Sequence, residues 1–173
     1  MIKNEYEVLK EAKKVILAYS GGLDTSVMVT WLKENGAQEV ICVSVDLGQV
    51  EDPSAMEEKA LKSRAKKFYN VNVEDEFIED YGFKSLMAGA KYENVYLLGT
   101  AIARPLISKV LVDVAKKEGA DLIVHGCTGK GNDQIRFELS IMTLDPEMKV
   151  IAHGGFGISR AVVKRRPMPK ITV

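Results

Sequence analysis

The sequence has few cysteines and histidines and no excess of either charge. Its 173 residues include 2 cysteines and 2 histidines, and 24 basic side chains balance 24 acidic ones. Cys42 and Cys127 lack the close spacing of a zinc site, and a neutral chain has no general electrostatic attraction for nucleic acid. The composition therefore predicts a reduced protein without a cysteine-bound metal, and it argues against a nucleic-acid partner.

Long apolar segments are also missing. No run is long enough to span a bilayer, and the first residues do not form a signal peptide. We therefore expect a cytoplasmic protein with no membrane partner.

The chain instead alternates short apolar runs with amphipathic stretches, the pattern of a parallel sheet covered by helices. The apolar runs predict strands at 15–19, 40–45, 68–73, 122–124 and 149–151. The stretches between them predict helices at 25–35, 53–67 (capped by Asp52), 74–91 and 104–118. Together they predict an α/β fold with an open, mostly parallel, five-stranded sheet flanked by helices.

The two ends differ from the middle. Residues 1–13 are charged, with Ile2, Tyr6 and Leu9 spaced for one helical face, and predict an N-terminal helical extension. Residues 14–152 form the main domain. Residues 153–173 carry several basic side chains and no acidic one, which predicts an irregular basic tail. A solvated end and a contact with RNA or another phosphate surface both remain open for this tail.

A glycine-rich loop follows the first predicted strand. Freed backbone N–H groups, three hydroxyls and the positive end of a helix dipole would converge there on an anion. The loop lacks the lysine that a Walker loop needs, and in open α/β sheets this end of the strand is where ligands bind. We therefore predict a phosphate-chain site, the alternative being an ordinary strand-to-helix turn. Its residues are Ser20, Gly21, Gly22, Leu23, Asp24, Thr25 and Ser26.

Two further segments carry polar residues. In the loop after the fourth strand, a hydroxyl, an amide, a carboxylate and a guanidinium suit a zwitterionic amino acid; they belong to Thr128, Asn132, Asp133 and Arg136. A helix cap with a surface arginine is the alternative for this loop. The segment 96–105 offers Tyr96, Thr100 and Arg104 and ends at Pro105, where a helix can begin.

These segments resemble a known family. The loop SGGLDTS resembles the PP-loop of the N-type ATP pyrophosphatases, which cleave ATP at the α-phosphorus. Together with VDLGQ, YLLGTAIARP, HGCTGKGNDQIRFEL and KVIA, it resembles the nucleotide-binding half of argininosuccinate synthase over residues 14–152. The resemblance implies a PP-loop fold of the adenine nucleotide alpha-hydrolase type. It also implies ATP-dependent ligation of citrulline and aspartate through a citrullyl-adenylate, with magnesium accompanying ATP.

The resemblance also assigns residues. For ATP it implies Ala18, Ser20, Gly21, Gly22, Leu23, Asp24, Thr25, Ser26, Val45 and Gly126. For citrulline it implies Tyr96, Asn132 and Arg136, with Thr100 in place of the serine or threonine that the family carries at Ala101. For aspartate it implies Thr128, Asn132 and Asp133. No general base is evident in the loops, so we expect catalysis by positioning, with Asp24, Asn132 and Arg136 as candidates.

The family continues into a synthetase domain that completes the citrulline pocket and a C-terminal helix used for tetramer formation. We expect a half-complete citrulline pocket here, and a homo-oligomer remains possible. Two rival hypotheses stay open. One is a PP-loop adenylyltransferase acting on tRNA, with Cys127 as nucleophile and the basic tail binding RNA. The other is a non-catalytic ATP-binding module.

Overall fold

The computed structural model describes residues 5–49, 51–128 and 131–152, and its centre is a five-stranded sheet. The strands are β1 (Lys14–Ala18), β2 (Glu39–Asp46), β3 (Lys67–Asn72), β4 (Leu122–His125) and β5 (Lys149–Ala152). Their order is β3-β2-β1-β4-β5, and every neighbouring pair is parallel. The predicted parallel sheet is confirmed. Because the order reverses beside β1, the switch point lies between β1 and β4, where such sheets bind ligands.

Helices cover both faces of this sheet. Alternate residues of β1 point to opposite faces: Leu17 packs with Leu32 in one core, whereas Ile16 packs with Leu111 and Ile141 in the other. Burial on both faces explains why the central strands contain nearly continuous apolar runs rather than alternating apolar and polar residues. The helical segments are α1 (Glu5–Glu11), α2 (Leu23–Glu34), α3 (Pro53–Lys62), α4 (Glu74–Glu76), a π-helical stretch (Phe77–Gly82), α5 (Phe83–Met87), α6 (Gly99–Glu118) and α7 (Asn132–Leu144).

Several predicted helix limits were wrong. Helix α3 ends at Lys62 rather than Lys67, because Arg64 turns the chain with φ of 78° and Lys67 already belongs to β3. The predicted helix 74–91 ends at Met87 and contains the π-helical stretch. Helix α6 starts at Gly99, so Pro105 lies inside it instead of at its first position. Proline there removes one backbone hydrogen bond in the second turn, and the helix continues on its buried face.

Other local expectations were correct. The Asp52 carboxylate accepts a hydrogen bond of 2.9 Å from the Ser54 N–H and caps α3, and Gly119 ends α6 with φ of 65°. Leu9 of α1 is fully buried in the core. The predicted basic tail and Ile2 lie outside the described residues. Among the helices of the described residues, none has the length and hydropathy needed to cross a bilayer.

Candidate nucleotide site

A cleft of about 440 Å³ opens where β1, β2 and β4 end. Helices α6 and α7 contribute its other wall through Arg104, Ile107 and Phe137. The cleft therefore lies at the carboxyl ends of the strands that flank the switch point, as the topology requires. The sequence-predicted ATP residues that line it are Ala18, Ser20, Asp24, Thr25, Val45 and Gly126.

The loop between β1 and α2 requires its glycines. Gly21 has φ of +71°, and a Cβ added there would lie 3.0 Å from Cγ of Met56. Gly22 is the N-cap of α2 in an extended conformation, and no side chain caps the helix. No side-chain cap therefore occupies the backbone N–H groups of the first turn, an arrangement typical of helix-terminal anion sites.

Hydroxyl groups hold this loop in shape. The Ser26 hydroxyl donates to the Gly22 carbonyl at 2.9 Å and contacts the Tyr19 hydroxyl at 2.8 Å. Thr25 donates to the same carbonyl at 3.3 Å and lies 3.3 Å from the Ser20 hydroxyl. Because the Ser26 and Thr25 hydroxyls both donate to the Gly22 carbonyl, their contribution is to stabilise the loop.

Two arginines and one aspartate form a second polar group beside the cleft. The Asp133 carboxylate accepts from Nε and Nη2 of Arg104 at 3.1 and 3.0 Å, and from Nη1 of Arg136 at 2.7 Å. Burial raises the pKa of Asp133, but the hydrogen bonds from Arg104 and then Arg136 outweigh it and leave that pKa below its usual value. The group joins α6 to α7 and carries a net positive charge.

Two stacked aromatic rings, those of Phe137 and His125, pack against Arg104 of this charged group. Arg104 lies over the Phe137 ring at 5.4 Å, and Phe137 stacks on His125 at 4.8 Å between ring centroids. His125 is 1% exposed, its Nδ1 accepts the Cys127 N–H at 3.3 Å, and its buried Nε2 has no partner within the described part of the chain. Burial, with a smaller contribution from Arg104, lowers the pKa of His125 to about 4. His125 is therefore neutral near pH 7.

Three of the predicted citrulline residues lie near one another but do not line the cleft. Tyr96 lies in a tight turn in which Glu93, Asn94 and Leu98 adopt positive φ, and its hydroxyl accepts the Thr100 N–H at 3.1 Å. Hydrogen bonding from Thr100, with a smaller contribution from the Arg136 charge, lowers the pKa of Tyr96. Tyr96, Thr100 and Arg136 thus stand close together, beside Asp133.

Three of the predicted site residues, Leu23, Thr128 and Asn132, do not line the cleft. Thr128 and Asn132 are exposed and do not line the cleft, although Asn132 begins α7 in the same turn as Asp133. The Leu23 side chain is 78% exposed and lies outside the cleft, so only its backbone can serve an ATP site.

A carboxamide that the sequence reasoning did not assign lies at the end of β2. Gln49 lines the cleft, its Nε2 donates to the Val45 carbonyl at 2.8 Å, and its Oε1 accepts the Leu47 N–H at 2.8 Å. Its signal in the sequence was the motif VDLGQ, in which a glutamine follows a strand and a glycine.

The sequence identifies Arg104 as a polar residue of the segment 96–105 but assigns it no role in the site. The signal was a lone cation in the apolar run from Ala101 to Leu106, because a charge in such a setting needs a partner. Its partner, Asp133, comes from a different helix, and sequence spacing alone does not pair them.

Two further observations bear on chemistry. In the portion of the chain that the structure describes, no three His, Cys, Asp or Glu side chains cluster as a metal site. Cys127 lines the cleft, but burial raises the pKa of its thiol and the nearby Arg104 charge only partly offsets this. Cys127 is therefore a thiol, and not a thiolate, near pH 7.

The parallel sheet with a glycine loop at its switch point defines an α/β domain of the PP-loop type. The crystal structure of a predicted subunit of tRNA methyltransferase from Methanocaldococcus jannaschii shares this fold, with a TM-score of 0.59 and 17% identity over 84% of this chain and 71% of that one. The particular family follows from sequence. Residues 14–160 match the model described as "Arginosuccinate synthase N-terminal HUP domain", and the chain belongs to the argininosuccinate synthase family.

Argininosuccinate synthases from two bacteria are similar in sequence to this chain, in agreement with the family match. The chain is 58% identical over 144 residues to argininosuccinate synthase of Clostridium perfringens, and 60% identical over 139 residues to that of Pelotomaculum thermopropionicum. The aligned parts cover 83% and 80% of this chain but only 36% and 35% of those relatives. The chain thus corresponds to the N-terminal third of the synthases it matches.

Proposed function

We propose that the cleft binds Mg-ATP and that the chain is the nucleotide-binding part of an argininosuccinate synthase. One observation carries the proposal: the N-terminus of α2 opens into the cleft without a side-chain cap, at a loop that only glycine at position 21 permits. The phosphates would bind these N–H groups and the positive end of the helix dipole. The base would extend toward the end of β2, where Val45 lines the same cleft.

The loop would bind phosphate at low reorganisation cost. The hydrogen bonds among Tyr19, Ser26 and Gly22 hold the loop in one shape without a ligand, which supports this. Fixed dipoles aimed at developing negative charge are an effective form of electrostatic catalysis, because they do not reorient during the reaction. The loop would therefore stabilise the pyrophosphate as it leaves.

Asp24 fits the magnesium ion that accompanies ATP. Its carboxylate is exposed in the first turn of α2 and lines the cleft beside the phosphate site. Magnesium is commonly held by one or two carboxylates together with substrate phosphates and water, so a single aspartate suffices and no three-residue cluster is needed. When bound, the ion would neutralise charge on the phosphate chain.

The proposed reaction joins citrulline to aspartate. The ureido oxygen of citrulline attacks the α-phosphorus of ATP and pyrophosphate leaves; the aspartate amine then displaces AMP. Tyr96, Thr100, Asn132 and Arg136 would hold citrulline. Thr128, Asn132 and Asp133 would hold aspartate, with the ionised Asp133 carboxylate facing its ammonium group.

Correct positioning of citrulline and ATP would supply most of the rate enhancement. His125 is buried and neutral, its Nδ1 already accepts the Cys127 N–H and its buried Nε2 carries the ring proton, so we do not assign it the role of a base. Holding the two reactants in line contributes about 7 to 11 kcal/mol in well-oriented systems. Asp24, Asn132 and Arg136 remain the positioning candidates, and small molecules in the cytoplasm remain the proposed partners.

The rival hypotheses gain less support. A tRNA enzyme with a Cys127 nucleophile would need a thiolate, whereas burial raises the pKa of this thiol. A module that binds ATP without turnover stays an alternative outcome, since the chain spans about a third of its relatives.

Calorimetric titration with ATP tests the nucleotide site. In magnesium buffer, Asp24→Asn should weaken ATP binding about tenfold or more, because a charged ligand is lost. The matched control is Asp75→Asn, which removes an exposed aspartate from the first turn of α4. Without magnesium, Asp24→Asn should bind ATP at least as tightly as wild type, because the carboxylate then only repels the phosphate chain. Equal affinities in magnesium would contradict the role of Asp24, and no ATP binding by the wild type would contradict the site.

Pyrophosphate release tests the reaction. With ATP, magnesium and citrulline, the chain should release pyrophosphate slowly and should need citrulline to do so. Arg136→Lys keeps the charge but loses the fork geometry, so it should lower the rate further while ATP affinity is retained. ATP binding with no citrulline-dependent release would favour the non-catalytic module.

A further inference from the structure

Strand β1 ends before β2 does, so the last residues of β2 have no strand partner on that side, where the cleft lies. Strand β1 ends at Ala18, and the Tyr19 N–H makes the next hydrogen bond to β2, 2.9 Å from the Val43 carbonyl. Strand β2 continues to Asp46. In a parallel strand, successive residues direct their backbone groups to opposite neighbours. Val45 therefore faces the same side as Val43, where β1 has already ended.

The alternation is visible on the other side of the strand. The Asp46 carbonyl accepts the Val73 N–H at 2.9 Å, on the side of β3. The Val45 carbonyl and the Leu47 N–H consequently face the open side, where Val45 and Leu47 line the cleft. This edge presents an acceptor and a donor side by side to any ligand.

In the free protein the Gln49 side chain pairs with both groups. Its amide nitrogen donates to the Val45 carbonyl and its oxygen accepts the Leu47 N–H, each at 2.8 Å. The orientation of the carboxamide is fixed by its partners, because a carbonyl needs a donor and an N–H needs an acceptor. Gln49 is nevertheless an exposed side chain on the cleft wall, so it can leave.

Adenine carries the same pair of groups, an amino donor at position 6 beside a ring-nitrogen acceptor. We infer that Gln49 is an intramolecular placeholder for adenine: its carboxamide occupies the base-reading edge of β2 until the adenine of ATP replaces it. This inference rests on the proposed ATP site and specifies how that site reads its base. After the exchange, the Val45 carbonyl and the Leu47 N–H are paired again, with the base.

Replacement of Gln49 by a base favours adenine over a base that carries an acceptor where adenine carries its amino donor. Inosine triphosphate (ITP) differs from ATP in carrying an oxygen acceptor where adenine has the amino donor. It cannot satisfy the Val45 carbonyl in the same pose, so its binding gains little from the departure of Gln49. The placeholder also lowers the affinity for ATP, because only molecules in which Gln49 has left are competent to bind the base.

The test compares ATP and ITP affinities by calorimetry in wild type, Gln49→Ala and the control Gln38→Ala. Gln38 is an exposed glutamine at the other end of β2, just before its first residue. Gln49→Ala should bind ATP about three- to tenfold more tightly, the equivalent of one or two hydrogen bonds in competition. Its ITP affinity should stay near that of the wild type, and Gln38→Ala should change neither.

Each other outcome overturns the inference in a distinct way. Weaker ATP binding by Gln49→Ala would mean that Gln49 itself contacts the nucleotide. An equal gain for ATP and ITP would mean that Gln49 only obstructs the cleft, and an unchanged ATP affinity would mean that it does not compete. If the wild type binds no nucleotide, the proposed function and this inference fall together.

Nuclear magnetic resonance gives a readout that does not depend on affinity. The side-chain amide protons of Gln49 should show hydrogen-bonded shifts in the free protein and solvent-like shifts with ATP. The Leu47 amide should exchange with solvent faster in Gln49→Ala than in wild type, and ATP should slow that exchange again. A Gln49 amide that keeps its shifts at saturating ATP would overturn the placeholder role.

Discussion

Mild acid should destabilise the protein through His125. This side chain ends β4, is 1% exposed and stacks on Phe137, which in turn carries the Arg104 guanidinium. Because Nδ1 accepts the Cys127 N–H, the proton of the neutral ring is on the buried Nε2. An added proton would have to go on Nδ1, where it would break that hydrogen bond and place a positive charge close to Arg104. Burial and that charge explain why the pKa of His125 falls from 6.5 to about 4 in the folded state.

The direction and magnitude of this pH effect on stability follow from the linkage between proton binding and folding. The folded-state pKa is depressed, so the contribution to stability is complete above the unfolded pKa of 6.5 and is lost as pH falls toward 4. Over that whole interval the loss approaches about 3 kcal/mol. Between about pH 7.5 and about pH 5, the same relation gives a loss of about 2 kcal/mol in the free energy of unfolding.

Urea unfolding at these two pH values measures the loss. His125→Asn keeps an acceptor for the Cys127 N–H and cannot titrate, so it should be less stable at neutral pH but show a much flatter pH dependence. The control is His153→Asn, because the sequence has only 2 histidines and His153 lies outside the described residues. If His125→Asn keeps the wild-type slope, the reasoning is refuted.

Three further predictions address the loop and the charged group. Gly21→Ala should lower ATP affinity by at least about tenfold, because a left-handed non-glycine residue costs about 1 to 2 kcal/mol and its Cβ would meet Met56; calorimetry checks this, and wild-type affinity would contradict it. Ser26→Ala should cost about 1 to 3 kcal/mol in urea unfolding, since the buried Tyr19 hydroxyl loses its partner, and Tyr19→Phe should remove most of the added cost in a double-mutant cycle. Asp133→Asn should destabilise by about 1 to 3 kcal/mol in urea unfolding because two guanidiniums lose a charged acceptor, whereas Asp80→Asn, which breaks the exposed pair with Lys84, should leave the stability nearly unchanged.

Much of the fold could be predicted from sequence because its signals are local. The five apolar runs became the five strands, and Asp52 and Gly119 cap helices as their residue types indicate. The errors arose where tertiary packing overrides local preference. Pro105 usually marks a helix start, but burial of Ala103, Leu106 and their neighbours keeps α6 helical on both sides of it.

The candidate site was predictable only in part for the same reason. The glycine loop is contiguous, so its residues and the anion site proposed for them could be predicted together. Arg104 and Asp133 lie on different helices, and only the packing of α6 against α7 pairs them. The role of Gln49 depends on where β1 ends relative to β2, which is a property of the sheet and not of the motif that contains the glutamine.

The strand order also affects how the domain assembles during synthesis. β1 lies at the centre of the sheet, yet its partner on one side, β4, is made about a hundred residues later, as the pairing of Val15 with Leu122 shows. On the ribosome, β1, β2 and β3 can pair early, whereas the second edge of β1 stays open until β4 emerges. That edge presents unpaired backbone groups on a strand in which four of the five side chains are apolar, a setting in which nascent chains aggregate or recruit chaperones. We therefore expect a translational pause before residue 122 to lower the soluble yield, and a pause after residue 152 to have little effect.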